Sequence, residues 1–333
     1  MLQGQTWIFD NPPTITSSAA VGGPFEAQGP LAADFDLLFD DMWLGQDSFE
    51  KAEKKLMEQA CDKAIQKAGL QKEDIQFYLA GDLLNQIITS SFSARTLAIP
   101  YLGLFGACST SMEGLALAAL MVSAGYADRV LTATASHNGA AEKQFRYPTE
   151  YGSQKPPTAQ WTVTGAGAAV VVSGGNGPRV TAATIGRVVD MGITDPFNMG
   201  AAMAPAAADT IEAHFRDLRI SPAEYDLILT GDLGRIGHPL AAELLAKQGL
   251  ELPPDRFGDC GLMIYREDQP VQAGASGCAS SACVTYGHVL NRMRRGELNK
   301  VLIVATGALL SPLSYQQKES IPCIAHAVAI QSG

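Results

Sequence analysis

Cys108 is the residue with the clearest chemical potential in this chain. It stands in the run Gly106-Ala107-Cys108-Ser109-Thr110-Ser111, behind apolar residues 102–105 and ahead of 112–124, where Glu113 is the one charge. A run apolar on all sides predicts a central, buried helix, with the thiol at its N-terminus. Unpaired backbone N–H groups and the positive end of the helix dipole favour thiolate there and make an anion site. A cysteine so placed can carry an acyl group as a nucleophile. It can equally be a small packing residue, since free cysteine is among the most buried types. Ser109 and Thr110 add hydroxyls to the same turn.

Three further residues belong to this candidate site. Asp82 closes a predicted buried strand over 75–80, at the edge where α/β folds place ligands; it can also cap the turn that follows. Glu113 has a similar second reading. Thr110-Ser111-Met112-Glu113 fits a capping box, with Glu113 reaching back to the Thr110 N–H. His137 follows a predicted strand over 129–135, where loops face a pocket. His214, His288 and His326 fit packing positions in helices or strands.

The elements that must position these residues come in two similar sets. Asp47 and Glu50 open a helical pattern over 48–68, and Gly69 stops it. Tyr225-Asp226-Leu227-Ile228-Leu229-Thr230-Gly231-Asp232 repeats the pattern of residues 75–82, ending again in Gly-Asp. Gly277-Cys278-Ala279-Ser280-Ser281 echoes the Cys108 turn, and Gly296 to Leu302 echoes Gly125 to Leu131. Cys108 precedes Val130 by 22 residues and Cys278 precedes Val301 by 23. Matched order and spacing indicate an internal duplication, with halves at 1–175 and 176–333 joined near the turn-rich 173–178. Each half alternates strands and helices, so a mixed or parallel sheet covered by helices is expected. Residues 1–46, with Pro12-Pro13 and Gly22-Gly23-Pro24, read as irregular.

Composition narrows the function classes. The chain is 47% hydrophobic and 17% charged, which is a globular composition. A net charge of −10, with Arg292-Met293-Arg294-Arg295 as the one basic run, argues against nucleic acid and against docking on an anionic membrane. The six cysteines are scattered, without zinc-type Cys-x-x-Cys pairs, and read as reduced thiols of an intracellular protein. Neither a signal peptide nor an apolar span of membrane length is expected.

Duplicated halves with a cysteine on the turn before a buried helix resemble the thiolase and β-ketoacyl synthase superfamily. Within it, the stretch Phe105 to Gly114, the opening Trp7-Ile8-Phe9, and Gly81-Asp82-Leu83 resemble the stage V sporulation protein AD family of spore-forming bacteria. The resemblance implies a thiolase-like α/β fold, two duplicated βαβαβ-type halves packed as α-β-α-β-α layers. It also implies a non-catalytic protein that binds dipicolinic acid and assists its uptake into the developing spore. No cofactor is implied, although calcium could accompany the ligand. Cys108, Ser109, Thr110, Asp82, Glu113 and His137 are the ligand-binding residues expected on this reading, with no metal site of the protein's own. The expected partners are other stage V sporulation A membrane proteins, holding the chain peripherally at the spore inner membrane. A homodimer is expected by analogy with thiolase-like proteins.

Two rival readings stand beside this one. A condensing or acyl-transferring enzyme would use Cys108 with a His or Asn pair that moves protons and holds the oxyanion. In such enzymes one partner follows the second-half strand, where this chain has Gly231-Asp232. The other sits on the second-half turn, here Cys278 or, in a second register, Ala275. Gly237-His238-Pro239-Leu240 copies a thiolase tetrapeptide but stands 58 residues before Gly296, far from the thiolase register. It is expected to be a loop leading into a helix over 240–247. The other rival is a structural subunit of a membrane channel complex with a vestigial pocket.

Overall fold

The computed structural model describes residues 1–145 and 155–333. Ten strands form its frame. The first five are β1 (Thr14–Gly22), β2 (Phe77–Gly81), β3 (Tyr101–Gly103), β4 (Arg129–Ser136) and β5 (Gly165–Val172). The second five are β6 (Arg179–Ile185), β7 (Leu227–Thr230), β8 (Phe257–Asp259), β9 (Lys300–Ala308) and β10 (Cys323–Gln331). Their spatial order is β8-β7-β9-β10-β6-β1-β5-β4-β2-β3. Read outward from the centre, each half runs in the same sequence of equivalent strands. β2 lies parallel between β4 and β3, as β7 does between β9 and β8. β5 runs antiparallel to β1 and β4, as β10 does to β6 and β9. The halves meet through the Arg179–Thr14 pairing.

The helices that cover this frame in the first half are α1 (Phe49–Lys67), α2 (Ile88–Leu97), α3 (Thr110–Ser123) and α4 (Asn138–Phe145). In the second half they are α5 (Met199–Leu218), α6 (Gly234–Lys247) and α7 (Cys278–Cys283). Strand alternation sorts the buried residues into layers, because successive side chains point to opposite faces. Leu79, Val130 and Val171 from one half and Leu229, Ile303 and Val328 from the other share an inner core. Met112 and Leu115 of α3 and Ala279 and Ala282 of α7 complete it. The opposite faces of the strands, Tyr78, Leu131 and Val170, pack on Leu56, Met57 and Ala60 of α1. In the second half Ile228, Leu302 and Val304 pack on Ile211 and Phe215 of α5. The result is helix, sheet, helix, sheet, helix. Small residues permit the close approach. A Cβ on Gly167 would stand 2.8 Å from the Ala282 Cβ, so β5 and α7 touch backbone to backbone.

Three local expectations need correction. β1 is a central strand, though residues 1–46 read as irregular. Its Thr14, Thr16, Ser17 and Ser18 hide the apolar signal, and prolines and glycines bracket it. Burial is possible because Ser17 Oγ donates to Ala64 O at 2.7 Å and Ser18 Oγ to Tyr286 O at 2.7 Å. α1 is capped by Ser48, which accepts from Lys51 N, rather than by Asp47. The helix expected over 240–247 is α6, which begins at Gly234 and has Pro239 inside, so His238 is helical and stacks on Phe257 at 4.4 Å. Among the described residues no helix is long and apolar enough to cross a membrane.

Candidate functional site

The Cys108 turn is built by contacts from both halves. Ala107 takes a left-handed backbone, φ +50°, which a residue with a Cβ adopts only under constraint. A 3₁₀ turn, Ala107–Ser109, then leads into α3. Ser109 Oγ donates to Gly106 O at 2.6 Å. Thr110 Oγ1 donates to Ala107 O at 2.7 Å and accepts from Gly106 N at 3.0 Å. Cys278 reaches across from α7, its Sγ donating to Ala107 O at 3.0 Å. Ser109 and Thr110 thus hold the turn with their hydroxyls, while Cys108 faces a cleft.

That cleft is narrow, about 50 Å³. Ala107 and Cys108 form part of its wall, with the hydroxyls of Thr162 and Ser276 nearby. Phe105, Phe145, Met199 and Leu310 make it mainly apolar. No Lys, Arg, His, Asp or Glu is among the described residues that line it. A second groove shares Leu83, Phe105, Phe145 and Leu310 and continues the cleft past residues 84–87.

Behind Cys108 stands Asp232. Thr306 Oγ1 donates to its Oδ1 at 2.7 Å and Gly277 N to its Oδ2 at 3.1 Å. Burial pushes this carboxyl up to about 7, against the lowering effect of hydrogen bonds from Thr306 and Cys108. Burial and the neighbouring Asp232 carboxylate push the Cys108 thiol well above its ordinary range. The dipole argument for a thiolate therefore loses to desolvation. No described group of three or more His, Cys, Asp or Glu residues is arranged to hold a metal ion.

The remaining expected residues are placed differently from Cys108. Asp82 is buried, and both its oxygens are engaged: Oδ1 accepts from Leu84 N at 2.9 Å, and Oδ2 from Ser90 N at 2.8 Å and Ser90 Oγ at 2.5 Å. It ties the two ends of the segment between β2 and α2, and burial raises it to about 6. The Glu113 capping box does not form. The helix is preceded by the 3₁₀ turn, Thr110 bonds to Gly106, and Glu113 Oε2 is buried without a hydrogen-bond partner. Burial alone raises Glu113 to about 7. It lies behind the turn, where a Cβ on Gly106 would meet its Oε2 at 2.8 Å. The His137 ring is buried; its Nε2 pairs with Met42 O at 2.8 Å and its Nδ1 accepts from Gly139 N at 3.0 Å. That pattern fits a neutral ring with the proton on Nε2, and burial lowers its pKa further. It stacks on Phe49, away from the cleft-lining residues.

Residue types alone did not point to Thr162, Ser276, Phe145 or Met199 as wall residues. Only Ser276 had a signal, its place beside the Gly277-Cys278 echo of the Cys108 turn.

The family described as Stage V sporulation protein AD (SpoVAD) matches residues 3–331. Stage V sporulation protein AD of Bacillus subtilis (strain 168) is 54% identical over 327 residues, 98% of this chain and 96% of that protein. Among solved structures, 3-oxoacyl-[acyl-carrier-protein] synthase III from Aquifex aeolicus VF5 superposes with a TM-score of 0.61 at 14% identity, covering 96% of this chain and 99% of the other. Cerulenin-bound OleA from Xanthomonas campestris gives 0.64 at 15% identity, over 96% and 98%. Likeness at such low identity carries the fold alone, and the fold is thiolase-like.

Proposed function

The chain belongs to the stage V sporulation protein AD family, and from that premise we propose that it is a non-catalytic binding protein for dipicolinic acid, assisting its uptake into the developing spore. The observation that carries this reading is the pair of residues around Cys108. Where a condensing enzyme would use His or Asn, Asp232 is tied to Thr306 and Gly277, and Cys278 to Ala107. Among the described residues that line this cleft there is no histidine to run a proton shuttle of the imidazole type. Burial also favours the protonated thiol over the thiolate nucleophile. An acyl-transferring role would draw on the same cysteine, and stable labelling of Cys108 by an acyl-CoA is the result that would favour it.

An apolar cleft flanked by Phe105 and Phe145 suits a flat aromatic ring. Dipicolinate is a dianion near neutral pH, and no cation among the described lining residues compensates it. Its charge must be offset by calcium, by protons or by backbone N–H groups of the Cys108 turn. Asp82 is poorly placed to complete a calcium shell, because both oxygens already accept hydrogen bonds. The protein would act at the spore inner membrane, held there by other stage V sporulation A proteins.

Calorimetric titration with dipicolinic acid tests this reading. Saturable binding is expected, weakened about tenfold by Phe105→Ala, since loss of one aromatic contact is worth roughly 1.4 kcal/mol. No heat with or without calcium would overturn it. Loss of binding in a calcium chelator would assign the compensation to calcium, and unchanged binding would assign it to protons or to the backbone N–H groups of the turn.

A homodimer is part of the same proposal. β3 is the edge strand of the first half, and Leu102 on it is 50% exposed, with Ile88 and Phe92 of α2 exposed as well. An apolar edge left unpaired favours association with a second copy. Sedimentation equilibrium is expected to show a dimer that Leu102→Arg weakens at least tenfold; a wild-type monomer at micromolar concentration would refute it.

A further inference from the structure

The segment between β2 and α2 carries more conformational strain than its role as a connector requires. Gln86 (φ +51°) and Ile87 (φ +47°) are consecutive left-handed residues, and neither is glycine. A β-branched residue in that region is a steric outlier, and such strain persists only where surrounding contacts impose it. The contacts are specific. Asp82 holds Leu84 N and Ser90 N, one at each end. Gln144 grips the middle, its Oε1 accepting from Asn85 N at 2.8 Å and its Nε2 donating to Leu83 O at 3.0 Å.

The location gives these contacts a consequence. Gln144 lies on α4, which supplies Ala141 and Phe145 to the wall of the Cys108 cleft. Leu83 lines that cleft, and residues 83–87 line the groove that continues it outward. The strained segment therefore stands along the route to Cys108.

We propose that residues 83–87 form a spring-loaded gate to the cleft, latched closed by Gln144 and hinged at Asp82. In the closed state the latch holds Gln86 and Ile87 left-handed. When the two Gln144 hydrogen bonds part, the backbone relaxes into ordinary regions and the segment swings away from the groove. Strain and latch oppose one another, which keeps both states within reach of a ligand's binding energy. The inference rests on the cleft being the ligand site, but it does not depend on what the ligand is.

The test uses no ligand. Cys108 sits inside the gate, so its alkylation rate by N-ethylmaleimide, followed by peptide mass spectrometry, reports opening. Cys283, buried in the inner core, reports general unfolding in the same sample. Gln144→Ala removes the latch and is expected to speed Cys108 alkylation at least fivefold while leaving Cys283 unchanged. Gln86 is solvent-exposed, so Gln86→Gly relieves the left-handed strain without loss of packing; it is expected to slow Cys108 alkylation about threefold. Unchanged Cys108 rates in both variants would overturn the gate, as would equal acceleration of Cys108 and Cys283 in Gln144→Ala. Either failure would leave dipicolinate binding, measured by calorimetry, untouched as a separate question.

Discussion

Gly307→Ala is expected to break the Cys108 turn and to cost more stability than any other single methyl added at the site. Gly307 lies near the end of β9, under the turn. A Cβ there would clash with Gly106 O and stand 3.0 Å from Ser109 N and 3.2 Å from Cys108 N. All three are backbone atoms, so no rotamer change relieves the overlap. Overpacking in a closed interior costs about 1–3 kcal/mol, and a rigid backbone neighbour puts this case at the top of that range. For a chain of this size the melting temperature should fall by roughly 4 °C. Gly258→Ala is the comparison, because its nearest neighbour is the flexible Leu229 Cδ2 at 2.9 Å; its loss should be under about 1 kcal/mol. Calorimetric melting of both variants decides the matter. An unshifted Gly307→Ala would mean that β9 does not hold the turn as described, and the association of Cys108 with the second half would fall with it.

Stability should also decline as pH rises from about 4 to 7, with Asp232 contributing alongside other buried acids such as Glu53, which burial holds well above its ordinary range. The native state raises Asp232 to about 7, Glu113 to about 7 and Asp82 to about 6, in each case first through burial. Unfolded carboxyls release their protons near pH 4. Between those limits the native chain binds more protons than the unfolded one, so its stability falls with rising pH. The contribution is fully present below about pH 4 and is lost as pH passes through the native value. At 1.36 kcal/mol per pH unit, Asp232 alone accounts for on the order of 4 kcal/mol. Asp232→Asn resembles the protonated acid, so denaturant titrations at pH 4 and pH 8 should converge in that variant relative to wild type. Equal pH dependence in the two proteins would show that Asp232 is ionised at little cost. Surface acids held low by ion pairs, such as Asp268 beside Arg266, act in the opposite direction but are common to both proteins.

Much of the architecture was legible because it is local and repeated. The apolar run of α3, the Gly-Cys-Ser turn before it and their echo around Cys278 are short-range patterns. Their matched spacing foretold two equivalent halves. β1 escaped notice for a physical reason: it satisfies buried hydroxyls through carbonyls of α1 and the α7 region, contacts that no local window contains.

For the site itself, the sequence determined that a thiol would stand at the start of a central helix and that Gly-Asp would end equivalent strands in both halves. Only the tertiary structure decided what those residues do. Asp82 and Asp232 occupy the same place in the duplicated pattern, yet the first closes on Leu84 and Ser90 and the second stands behind Cys108. His137, at a strand end that could open onto a pocket, turns instead to Met42 and Gly139. Strand and helix are set by neighbours three or four positions away. The direction and partners of a buried polar side chain are set by whichever groups, near or far in sequence, the packed fold brings to it, and 124 residues separate Cys108 from Asp232.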